Sequence, residues 1–141
     1  MKRKLLSLTL LAMTVLAVAC SSGGGSASSS KQIKSGSAGN DLTVSIGNAD
    51  GVLKKGKQDL TLTFADAAGK PVDVGSASLN FFMPAMGSMA AMNNTAVLTT
   101  TSTPGIYSAK VDIEMGGEWQ AQIKYEGPRG KGSANLPITA Q

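Results

Sequence analysis

From Asp41 to the C-terminus, apolar residues recur at every second position in short runs, and this periodicity is the tightest constraint on how the chain folds. Leu42, Val44 and Ile46 alternate with Thr43 and Ser45, and Leu60, Leu62 and Phe64 alternate with Thr61 and Thr63. The pattern continues through Leu79, Phe81 and Met83, more weakly through Ala96 to Thr100, then through Tyr107–Ile113, Trp119–Tyr125 and Ala134–Ile138. A period of two belongs to a strand with one buried face, because successive side chains point to opposite sides of the sheet. Turn residues punctuate the runs at Asp66–Lys70, Pro104-Gly105, Gly116-Gly117 and Gly127–Gly132. No stretch of helical period competes. Seven short strands within about 100 residues predict an all-β fold, an immunoglobulin-like antiparallel β-sandwich of about seven strands without an internal disulfide.

One run interrupts the alternation. Phe81 to Met92 reads Phe-Phe-Met-Pro-Ala-Met-Gly-Ser-Met-Ala-Ala-Met, so Met83, Met86, Met89 and Met92 stand three apart. A single strand cannot place such a series on one face. Proline at the second place of Met83-Pro84-Ala85-Met86 favours a type I turn, and repeated closures predict a 3₁₀-like ribbon with the sulfurs along one edge. The run joins the third and fourth predicted strands. Sandwich topology brings the Glu114–Glu118 connection to the same end, adding Met115 to the four thioethers, with Trp119 opening the next strand beside them.

Three readings fit these residues. Thioethers without histidine or thiol are a soft ligand set suited to Cu(I), and by extension Ag(I); the ligands would be Met83, Met86, Met89, Met92 and Met115, with Trp119 as a cover. Methionine is also an unbranched filler for the open end of a β core, and it builds adaptable contact surfaces for protein partners. Trp119 is equally the core tryptophan of a sandwich.

Upstream of the periodic region, Lys2-Arg3-Lys4 precedes an apolar run that ends at Ala19. This is a secretory leader, residues 1–19, too short for a comfortable membrane span. The ending Leu-Ala-Val-Ala-Cys resembles a bacterial lipoprotein signal, with Cys20, the sole cysteine, as the lipidated residue. Residues 20–40 are Ser/Gly-rich and predict a flexible tether, and residues 41–141 form the domain. The expected location is the cell envelope, on the extracytoplasmic side, held to a membrane by the lipid anchor.

Thirteen basic residues oppose nine acidic ones, but three of the thirteen lie in the leader, so the mature chain is nearly neutral. Nothing in that balance calls for a nucleic-acid partner. Without histidine, and with its one cysteine committed to the anchor, the chain offers no nucleophilic triad and none of the common zinc patterns. Glu114 and Glu118 flank Met115 without a titrating partner, and Lys54, Lys55 and Lys57 read as a solvated loop. The chain is therefore expected not to be an enzyme.

Phe82-Met83-Pro84-Ala85-Met86, Pro104-Gly105-Ile106-Tyr107 and Met115-Gly116-Gly117-Glu118-Trp119 together resemble the YtkA-like domain, which is related to FixH-like proteins. The likeness runs from about Leu42 to Ile138. It implies an extracytoplasmic immunoglobulin-like domain of a kind found beside copper transport, efflux and oxidase-assembly systems, which would supply the partners. Family members frequently carry histidine near the Met-Pro-x-Met element. Ser88 and Met89 stand there in this chain, so the metal option narrows to Cu(I).

Overall fold

The computed structural model describes residues 30–141, so the leader, Cys20 and the first part of the Ser/Gly-rich stretch lie outside the described residues. Nine strands follow in order: β1 Lys31–Gly39, β2 Leu42–Asn48, β3 Gly56–Ala65, β4 Ser76–Met83, β5 Met92–Thr95, β6 Val97–Thr100, β7 Ile106–Ile113, β8 Gly117–Gly127 and β9 Gly130–Ala140. They form a five-stranded sheet in the order β1-β2-β3-β7-β6 and a four-stranded sheet in the order β5-β4-β8-β9. Every ladder is antiparallel. This two-sheet order agrees with an immunoglobulin-like sandwich.

The alternation in sequence becomes the core. Val44, Ile46, Leu60, Leu62 and Phe64 of one sheet face Leu79, Phe81, Trp119, Ala121 and Ile123 of the other, all buried. Burying each large side chain stabilises the fold by roughly 1.5–3 kcal/mol. Phe64 sits edge-on to Tyr107, with centroids 5.9 Å apart, and to Tyr125 at 5.4 Å. The Tyr107 hydroxyl donates to the Gly75 carbonyl at 2.7 Å, and burial holds its pKa above the ordinary phenol value. Asn48, the one buried polar side chain among the described residues, closes the β2–β3 loop. Its Oδ1 accepts from the backbone N–H groups of Asp50, Gly51 and Val52.

Two strands depart from the sequence expectation. Residues 31–39, expected to be tether, are strand β1, paired along β2. The connection is a two-residue hairpin loop in which Asn40 and Asp41 both have positive φ, 52° and 57°. That geometry matches a type I′ turn, whose twist suits a hairpin. β1 has little apolar content because it lies at a sheet edge, with only Ala38 fully buried. The fourth predicted strand, Ala96–Thr100, is β6, and a further strand that the alternation did not show, β5, precedes it. β5 pairs with β4 in one sheet, and β6 pairs with β7 in the other. The chain changes sheets at buried Ala96, whose N–H donates to Leu79.

Candidate functional site

The methionine run is not a 3₁₀-like ribbon; it is a hairpin growing from the end of the sandwich. Met83 and Met92 pair where β4 and β5 begin to separate. Further out, Met86 and Met89 form an isolated antiparallel bridge, each N–H donating to the other's carbonyl at 3.1 and 2.9 Å. Between them lies the two-residue turn Gly87-Ser88. Gly87 has a φ of +57° and Ser88 is not left-handed, the pattern of a type II′ turn, which requires glycine at its first position. No turn closes over Pro84-Ala85. The spacing of three thus arises from two cross-strand pairs in a single register.

That register divides the thioethers. Met83 is 2% exposed, and its terminal methyl lies 3.2 Å from where a Gly117 Cβ would sit. Met92 and Met115 are partly buried and pack against the same core. Met86 and Met89 are 54% and 42% exposed. The Glu114–Glu118 connection does come to the hairpin's end of the sandwich, as Met83 against Gly117 shows. The five methionines nevertheless serve as three wall residues and two tip residues. Trp119 is 1% exposed, and its Nε1–H donates to the Met115 carbonyl at 3.1 Å, so the indole is a core side chain that pins this connection.

The surroundings of the tip were not visible in the sequence motifs. A groove of about 340 Å³ is lined by Lys34, Pro84, Met86, Glu118, Gln120 and Pro137 among others, so the tip borders the outer face of the four-stranded sheet. On that face Asn80 holds the hairpin arms together. It donates to Asn93 at 3.0 Å and to Gln122 at 3.2 Å, and it accepts from Thr95 at 3.1 Å. Residues 74–109, which include β4, the methionine hairpin, β5 and β6, contain no charged side chain, although the chain as a whole is 16% charged. The nearest groove charges, Lys34 and Glu118, come from other strands. Among the described residues, no group of three or more His, Cys, Asp or Glu is placed to hold a metal ion.

The described residues form a two-sheet β domain that carries an uncharged, methionine-tipped hairpin. The chain belongs to the YtkA-like family, whose model matches residues 36–124, more than half of its length. YtkA-like proteins are non-catalytic domains, and this chain is not an enzyme. Searches of curated proteins and of solved structures find no match to the chain. The family match begins inside β1, five residues before the boundary expected at Asp41, in accord with that strand being part of the domain.

Proposed function

We propose that this protein is an interaction module of the cell envelope, lipid-anchored through Cys20, which docks a protein partner on the tip of its methionine hairpin. The observation that carries this reading is the neutrality of residues 74–109 combined with the exposure of Met86 and Met89 at their outermost point. Interface centres are depleted in charge and enriched in methionine, and thioether side chains adapt their shape to the surface they meet. The cell-envelope location rests on the leader and on the Leu16–Cys20 signal. A photo-crosslinking residue at Met89 tests the docking in intact cells. It should trap a discrete envelope protein, whereas the same residue at Lys124, on the same outer face but towards the end of β8 away from the tip, should not. Met86→Leu with Met89→Leu should preserve the adduct formed from a neighbouring tip position, and Met89→Glu should abolish it.

A second reading has one specific observation in its favour. The Met86–Met89 bridge sets two exposed thioethers side by side, with α-carbons about 5.5 Å apart in such a pair, and thioether sulfur is a soft donor for Cu(I) or Ag(I). On this reading the partner is a copper transport or oxidase-assembly protein and the tip carries the ion. Three of the five sulfur-bearing side chains pack against the core, so this arrangement relies on two exposed ligands and favours the contact reading. A competition titration with a chromogenic Cu(I) chelator separates the two. Binding that vanishes in the Met86→Leu, Met89→Leu double variant would make the tip a metal site.

A further inference from the structure

The two sides of the sandwich are finished differently. On one side, β1 and β9 cover each other. A Cβ on Gly36 would come within 2.5 Å of Leu136, and one on Gly132 within 2.5 Å of the Ala38 carbonyl oxygen, so the two edges touch at backbone distance. Asn40 donates to the Lys131 carbonyl and the Tyr125 hydroxyl to the Gly39 carbonyl, closing the seam. Further along, Gln141 and Leu53 continue it through a backbone hydrogen bond of 2.9 Å. On the other side, β6 is the last strand of its sheet, and among the described residues no strand pairs with its outer edge.

Val97↔Lys110 and Thr99↔Ser108 lie in the β6–β7 register, and the Thr101 N–H donates to Ile106 at its end. Antiparallel hydrogen-bonded pairs alternate, so the N–H and C=O groups of Leu98 and Thr100 point away from β7. Sheet edges are normally guarded by lysine, proline or a bulge. This one reads Val-Leu-Thr-Thr-Thr, is uncharged and β-branched at every position but Leu98, and exposes 66% of Val97.

We propose that β6 is a self-association edge, paired antiparallel with β6 of a second copy of this chain about a two-fold axis at Thr99. This inference goes beyond the docking of the hairpin tip and does not depend on it. In that register Leu98 faces the partner's Thr100, and Thr100 faces the partner's Leu98. The two outward-pointing residues of each copy therefore exchange four N–H···O bonds. Val97 lies opposite the partner's Thr101, and Thr99 opposite its own counterpart, on the same outer face. A two-fold perpendicular to the sheet requires this matching of faces. A second copy is the favoured occupant because the edge is neutral throughout. Self-pairing opposes no like charges, whereas Lys31 and Lys34 on β1 or Lys131 on β9 would raise that obstacle at the other side.

Sedimentation equilibrium of the full chain in density-matched detergent tests the proposal. The wild-type chain should show a reversible, concentration-dependent dimer. Thr100→Pro deletes an outward N–H and leaves the β6–β7 ladder intact, so it should weaken the dimer by about tenfold or more, with the unfolding midpoint nearly unchanged. Thr99→Lys and Thr99→Glu should each be monomeric, and their equimolar mixture should dimerise, since opposite charges then meet at the axis. A chain that stays monomeric at every concentration would overturn the proposal, as would a dimer indifferent to Thr100→Pro or a charge pair that fails to restore association. None of these outcomes bears on the hairpin tip, whose own variants lie at Met86 and Met89.

Discussion

The root and the tip of the methionine hairpin share one residue type and one register, yet they are made for different purposes. At the root, Met83 is sealed in the core against β8, and Met92 lies across from it with its side chain against the same cluster. Three residues nearer the turn on each arm, Met86 and Met89 project into solvent on a bridge that only their own backbones hold. Composition alone treats the four as equivalent. What separates them is whether a facing sheet exists at that distance from the sandwich, and beyond Met83 it does not. The root therefore contributes to stability, and the tip is available for recognition.

Substitutions should break the hairpin along that line. Met83→Ala should cost about 2–5 kcal/mol, the cost of removing a buried long side chain and leaving a cavity, measured by denaturant unfolding. Asn80→Ala should cost about 1–3 kcal/mol, because Thr95, Asn93 and Gln122 all lose their shared partner; increased amide exchange in β5 would locate the damage at the hairpin arms. Met115→Ala should cost about 1 kcal/mol, since its side chain is only partly buried while its carbonyl, which holds Trp119, is retained. Met86→Leu with Met89→Leu should change stability by less than about 0.5 kcal/mol, as expected for surface positions. A large loss of stability in that double variant would mean that the tip is structural after all, and the contrast would collapse.

Much of the fold was legible because burial enforces period two. The runs at Leu42, Leu60, Leu79, Tyr107, Trp119 and Ala134 all lie in strands, and the division of the loops between the two ends brought Glu114–Glu118 to the methionines. β1 escaped because an edge strand needs few apolar residues, and its serines and glycines match a linker in composition. Its signal was the turn: Asn40-Asp41 is a hairpin loop that presupposes a strand before it. The methionine spacing departs from the expected ribbon for a related reason. A spacing of three excludes one strand but fits two strands folded back on each other, and Gly87-Ser88 at its midpoint marks the fold. The neutrality of residues 74–109 was legible throughout, and its meaning emerges only when those residues are seen to be one hairpin and one free edge.

Whether the hairpin tip is a protein-contact surface is decided by photo-crosslinking from position 89 in intact cells, with and without Met86→Leu. A discrete envelope protein should be trapped at undiminished yield in the presence of that substitution, because leucine preserves the apolar surface. No adduct from position 89, or only a diffuse background equal to that from position 124, would contradict the claim.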